Sequence, residues 1–358
     1  MFARNASRFC AVLCCAVILG LAADAHAEPY LWCLSPDYNN LYDDTYHLAQ
    51  YDVGNDFLEI YPLEFSSRPT FDGYASIPAY YERPPFYGTN LAWLVNSYWD
   101  GYICLATVES SYDVYQLRST GIGGGPGGSH AVQFAVASNK TGYALVSGNE
   151  DRLYTISMSN GKANAGSLLP STLGEFGWCR WALAGGLLYS GTTQHFVSRM
   201  DPTLINPVTG VASWDALEQT YSFPDALAGF PDGRVFSLTE DAQGHVRLLQ
   251  IEFANASELN VTPIGGNLDS AFMNSDGYIC DDCYYSLVGG PDGMLYCSAQ
   301  YATYIVQISP NTGDYRILGG FPSNGDAIFW LAPAAIPEPA TLALMAVGLG
   351  VMLRRRRR

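Results

Sequence analysis

Pro231-Asp-Gly-Arg-Val-Phe236 and, 60 residues later, Pro291-Asp-Gly-Met-Leu-Tyr296 are two copies of one unit. Each is a tight turn that opens a strand. Proline presets φ at the first turn position, and glycine accepts the positive φ that closes it. The apolar and aromatic residues that follow fit a pleated, half-buried surface. Weaker copies are Asp100-Gly-Tyr-Ile-Cys-Leu105, Thr141-Gly-Tyr-Ala-Leu-Val146 and Gly185-Gly-Leu-Leu-Tyr189. The glycines fall at 101, 142, 186, 233 and 293, in steps of 41, 44, 47 and 60, and a poorer copy at Gly54 stands 47 before the first. Partner strands are Arg152–Ser157 and Tyr304–Ser309, the second running through the turn Pro310-Asn-Thr-Gly313 into Tyr315-Arg-Ile-Leu318.

A period of 40–50 residues with several short strands per unit predicts an all-β fold, a β-propeller. Strands this short at this turn spacing do not fit βαβ units. A domain over 28–333 divided by the period predicts six or seven blades. Ala327-Ile-Phe-Trp-Leu331 is expected to pair with Tyr30-Leu-Trp-Cys33 and close the ring. On these residues the body resembles the broad WD40/YVTN/PQQ-like group of propellers, with no family-specific blade motif. A pair of β-sandwiches and an irregular β-solenoid are the rival architectures.

The two ends are of a different kind. Residues 1–27 carry Arg4 and Arg8, an apolar run from Phe9 to Ala23, and the small-x-small site Ala25-His-Ala27. That order reads as a secretory signal peptide cleaved after Ala27. Residues 334–358 contain Ile336-Pro-Glu-Pro-Ala-Thr341, an uncharged run from Ala340 to Leu353, and five arginines, Arg354 to Arg358. The 14 residues of the run span only about 21 Å as a helix, against a hydrocarbon core of about 30 Å. Arg354 can snorkel to extend it, and the arginine cluster stays cytoplasmic. Pro337 and Pro339 delay the helix to about Ala340.

This tail, with Pro337, Glu338 and Pro339 at its outer edge, resembles the PEP-CTERM sorting signal of Gram-negative bacteria that make exopolysaccharide. The resemblance implies transient membrane insertion by the C-terminal tail, processing by an exosortase-type enzyme, and delivery of the body to the cell surface or extracellular matrix. It covers only the tail.

Of 18 basic residues in the chain, 11 lie in the body against 32 acidic ones, a net of −21 there and −16 overall. Such a surface disfavours nucleic acid and anionic lipid, and leaves divalent cations and neutral polysaccharide as partners. Six cysteines fall in the body, and an even number in an exported chain suggests disulfides. Cys280-Asp-Asp-Cys283 lacks the second pair of a zinc site and the βαβ context of a redox site. It reads as a disulfide staple involving Cys280, Cys283 and Cys297.

Catalytic motifs are absent. Gly123 to Gly128 matches G-x-G-x-x-G formally, but a strand follows where the dinucleotide fingerprint needs a helix. Histidines 47, 130, 195 and 245 form no zinc-protease motif, and no G-x-S-x-G occurs. Asn274–Asp282 and Asp37–Asp44 concentrate oxygen ligands without matching an EF-hand, so solvated acidic loops are expected there, with Ca²⁺ the alternative. Trp93, Trp99, Trp178, Trp181 and Trp214 are expected to pack between blades, with sugar stacking the alternative. The sequence therefore points to a non-enzymatic surface or matrix protein, a binding or structural component associated with exopolysaccharide. The alternatives are an extracellular polysaccharide hydrolase or lyase, whose carboxylate pair only geometry can reveal, and a protein-binding adhesion module.

Overall fold

In the computed structural model the described residues are 30–36, 46–53, 57–63, 79–82, 89–97, 102–108, 115–123, 130–138, 141–173, 181–224, 226–272, 286–290, 292–298, 304–320 and 330–334. Among them the strands form six antiparallel sheets of four strands each. Five sheets are continuous in sequence. The second contains β4 (Ala79–Glu82), β5 (Thr89–Ser97), β6 (Tyr102–Val108) and β7 (Tyr115–Gly123). The third contains β8 (His130–Ser138), β9 (Thr141–Ser147), β10 (Arg152–Ser157) and β11 (Ser167–Leu168). The fourth contains β12 (Ala182–Ala184), β13 (Leu187–Gly191), β14 (Phe196–Met200) and β15 (Val208–Ser213). The fifth contains β16 (Ala226–Gly229), β17 (Val235–Glu240), β18 (Val246–Phe253) and β19 (Leu259–Ile264). The sixth contains β20 (Ser286–Gly289), β21 (Leu295–Ser298), β22 (Tyr304–Ile308) and β23 (Tyr315–Gly320).

The first sheet is composite. Its order is β24-β1-β2-β3, from β1 (Tyr30–Pro36), β2 (Tyr46–Asp52), β3 (Phe57–Leu63) and the last strand β24 (Trp330–Ala334). The register runs from Tyr30 opposite Ala334 to Leu34 opposite Trp330. First and last strands pair as expected, but through Trp330–Ala334 rather than Ala327–Leu331; residues 327–329 lie outside the described residues. Pro333 is tolerated because β24 pairs on one side only, so a missing N–H can face away from the ladder. The first strands of the sheets touch in a closed sequence, β24, β4, β8, β12, β16, β20 and back to β24. That ring makes the body a β-propeller. The seven-bladed alternative finds no seventh sheet among the described residues.

The core lies between neighbouring sheets. Between the fifth and sixth, Phe230, Phe236, Leu238, Leu248, Leu295, Val306 and Ile308 are buried together, and Phe230 meets Phe236 edge-on at 5.7 Å. Burying one such side chain contributes roughly 1.5–3 kcal/mol. A strand covered on both faces needs apolar residues without alternation, and β17 is buried at Val235, Phe236, Ser237, Leu238 and Thr239. The outermost β19 alternates half-buried and exposed positions from Leu259 to Thr262, and carries an exposed Pro263 on the edge.

The repeat glycines do two jobs. Gly186, Gly233 and Gly293 lie in the hairpins after the first strands with φ of 83°, 95° and 79°, as the turn chemistry requires. Gly142 does not sit in a turn. It lies within β9, where a Cβ would come within 2.7 Å of the Phe134 ring, so packing rather than dihedral freedom selects it. Gly229, at the end of β16, faces the carbonyl of Leu183, which a Cβ would approach to 2.3 Å. First strands thus meet backbone against backbone at the ends that lead into their hairpins.

Candidate functional site

The propeller has two unlike faces. One carries the hairpins joining first to second strands, such as Phe230–Arg234. The other carries the turns joining second to third strands, such as Asp241–His245, and the crossings that pass from one sheet to the next. The crossing from the fourth to the fifth sheet lies against the Asp241 turn: Ser222 N donates to Glu240 O at 2.8 Å, and Ala242 N donates to Thr220 O at 3.0 Å. We call these the hairpin face and the crossing face.

On the crossing face His195 ends the turn that leads into β14. Its amide donates to Thr192 O at 3.1 Å, and it holds a φ of 57°, the only positive φ of a non-glycine among the described residues. Such a conformation costs about 1–2 kcal/mol and persists only where the surroundings fix it. Here Trp214 N donates to His195 O at 2.8 Å, and the wholly buried Trp214 ring donates from Nε1 to Tyr221 O at 3.1 Å. Leu217 N to Trp214 O and Tyr221 N to Leu217 O curl the crossing back over the turn. The His195 ring stacks on Phe223, with centroids 5.1 Å apart, and Phe223 meets Trp214 edge-on.

That curl brings Asp215 and Glu218 to His195. His195 Nδ1–H donates to Glu218 Oε1, and one ligand atom from each of His195, Asp215 and Glu218 lies within 4.8 Å of the others. All three are exposed. One imidazole nitrogen and two carboxylates with an open solvent side are donors that could hold a divalent cation such as zinc or manganese. No other such group occurs among the described residues.

The same position in the next sheet is built differently. His245 also precedes its third strand, and its Nδ1–H donates to Asp269 Oδ2 at 2.6 Å. Asp269 is buried, and its second oxygen accepts from Val246 N at 2.9 Å. Its partners hold both oxygens, so this pair ties a turn to the short helix Asp269–Phe272. Asp241 beside it accepts from Gln243 N, His245 N and Arg247 Nε. Burial alone would raise its pKa, but Arg247 and the two amides outweigh burial and lower it. Thr203 lowers the pKa of Asp201, and the Arg234 amide lowers that of Asp232. A general acid needs a raised carboxylate, and these three are displaced the other way.

The residues singled out from sequence fall mostly outside the described residues: Ala25, Ala27, Cys280, Cys283, Pro337, Glu338 and Pro339, with both oxygen-rich loops. Cys297 lies in β21, wholly buried, with its thiol directed to Ser298 O at 3.7 Å, and no disulfide joins two described residues. Trp181 and Trp214 are buried between sheets, so neither offers a sugar platform. Sequence reasoning missed the His195 group. Asp215 and Glu218 stand 20 and 23 residues beyond His195, and only the curled crossing joins them. The one available signal was a histidine recurring directly before a third strand, at 195 and 245.

Residues 335–358 match the PEP-CTERM protein-sorting motif. The chain is therefore an exported protein carrying an exosortase-type sorting tail. No curated protein matches the sequence. The fold is similar to that of a protein of unknown function from Bacteroides caccae, at 9% identity and a TM-score of 0.53, over 86% of this chain and 100% of that one. A PQQ-bound aldose sugar dehydrogenase from Streptomyces coelicolor has 14% identity and a TM-score of 0.44, over 73% of this chain and 86% of that one. The β-propeller domain of Cps50 (Swd1) from Myceliophteria thermophila has 11% identity and a TM-score of 0.42, over 80% and 86%.

Proposed function

We propose that this chain is a non-enzymatic component of the cell surface or extracellular matrix, a six-bladed propeller with each sheet one blade, associated with exopolysaccharide. The signal over 1–27 exports it, and the tail over 334–358 holds it in the inner membrane until an exosortase-type enzyme acts near Pro337-Glu-Pro339. The observation that carries the reading is the sorting motif beginning at the residue after β24. Everything needed to close the ring lies upstream of it, so processing leaves a complete body. A net of −21 in that body favours solubility and self-repulsion once the tail is gone.

The test is co-sedimentation of the purified body, residues 28–336, with exopolysaccharide from a PEP-CTERM-bearing bacterium. Salt-insensitive retention supports the reading, since the body and most matrix polymers do not attract by charge. Absence of retention, with degradation of the polymer instead, would establish the hydrolase or lyase alternative. Retention of a surface protein but not of polymer would establish the adhesion alternative.

A further inference from the structure

In the fifth sheet the first strand reaches the second through the hairpin Phe230–Arg234, and the sixth does the same across Gly290 and Gly293. In the first sheet that place is taken by the chain's own exits. Ala334 ends β24 directly opposite Tyr30, which begins β1. First strands run the same way around the ring: Gly289, at the end of β20, meets Gly229 O at the end of β16, and Gly229 meets Leu183 O near the end of β12. β24 stands in line with them, antiparallel to β1 as β20 is to β21. Both targeting segments therefore leave from the hairpin face, side by side, at the inner edge of the ring.

The tether is short. Between Ala334 and the apolar run at Ala340 lie residues 335–339, which reach at most about 20 Å when fully extended. The headgroup layer takes about 6 Å of that. A body of about 305 residues is roughly 50 Å across on the usual size scaling. A body that wide on a leash that short cannot turn over.

We propose that, while the tail is inserted, the propeller stands with its hairpin face against the lipid headgroups and its crossing face, with His195, Asp215 and Glu218, directed away from the membrane. The proposal rests on the reading of the tail as a membrane-inserted segment. The tether sets the orientation rather than attraction, because Asp232 and Asp314 are exposed on or beside the hairpin face and the body is strongly acidic. Asn311 belongs to the same face, since Arg234 Nη1 donates to its Oδ1 at 3.3 Å. Cutting the tail then releases the body without any adhesion to overcome.

The experiment uses the full chain reconstituted into phosphatidylethanolamine and phosphatidylglycerol vesicles that contain a lipid with a photoactivatable diazirine headgroup. Adduct sites are mapped by mass spectrometry after illumination. Adducts should concentrate several-fold in peptides carrying Pro231–Arg234 and Asn311–Asp314, over peptides carrying Thr193–His195, Asp215–Thr220 and Gln243–His245. Inserting about 30 Gly/Ser residues between Ala334 and Ala335, with an r.m.s. reach of about 30 Å, should erase the difference. Equal labelling of the two faces in the unmodified chain, or an excess on the crossing face, would overturn the orientation. Failure of the chain to remain with the vesicles would overturn it by a separate route, because the tail itself would then not be a membrane segment.

Discussion

The hairpin of the fifth sheet and the seam of the first occupy the same structural position and hold it by different means. At Phe230–Arg234 the link is covalent. Gly233 N donates to Phe230 O, Asp232 Oδ1 accepts from Arg234 N, and the Arg234 guanidinium lies 5.1 Å from the Phe230 ring. At the seam no turn joins the strands, and five backbone pairs from Tyr30–Ala334 to Leu34–Trp330 hold the ring shut. One site is fixed by local turn chemistry, and the other by contacts about 300 residues apart in sequence. The closing strand is therefore the element on which the whole ring depends most, and it stands next to the segment that is cut away.

The largest effect should come from removing that strand. Deletion of Trp330–Ala334 leaves β1 without its inner partner and opens the ring between β20 and β4. The expected result is loss of cooperative thermal unfolding in calorimetry, whereas a single cut within the Phe230–Arg234 hairpin should leave a folded, nicked body. Head-to-tail joining of Ala334 to Tyr30 through a Pro-Asp-Gly-Arg turn converts the seam into a hairpin. Loop-closure entropy alone caps the gain at about 6 kcal/mol, read as a higher urea midpoint. An unchanged midpoint would mean that the seam already closes as firmly as a covalent turn.

Smaller effects separate packing from turn chemistry within the continuous sheets. Phe236→Ala, at a fully buried position, should cost about 3–5 kcal/mol. Gly229→Ala should cost about 1–3 kcal/mol, because its Cβ meets the Leu183 carbonyl and the backbones must part. Gly233→Ala meets nothing within 4 Å and should cost only the positive-φ penalty of about 1–2 kcal/mol. Chemical denaturation of the three variants ranks them directly. The smallest effect is in pH. The folded pKa of Asp241 lies below its ordinary value near 3.9, so its contribution is complete above that value and is lost as pH falls through the folded one. The stability difference between wild type and Asp241→Asn should therefore shrink below about pH 4 and stay constant above pH 5.

Part of the architecture was legible because the fourth, fifth and sixth sheets repeat one local device. Gly186, Gly233 and Gly293 are turn glycines with positive φ, one in each of the fourth, fifth and sixth sheets. Gly142 gave the same letter for another reason, a close approach of the Phe134 ring, which no spacing reveals. The pairing of first and last strands was legible because both are short apolar runs, one at each end of the body. The His195 group was not. Its carboxylates come from a crossing whose curl is set by the buried Trp214 and its bond to Tyr221 O. Tertiary packing, not local sequence, decides where Asp215 and Glu218 point.

In the proposed function the sorting tail is removed from a body that keeps its closing strand. Peptide mapping of both termini of the surface-released protein tests it most directly. The predicted product begins near Glu28 and ends between Pro337 and Ala340, with Trp330–Ala334 retained. A surface form that ends before Trp330, or one that still carries Arg358, would contradict it.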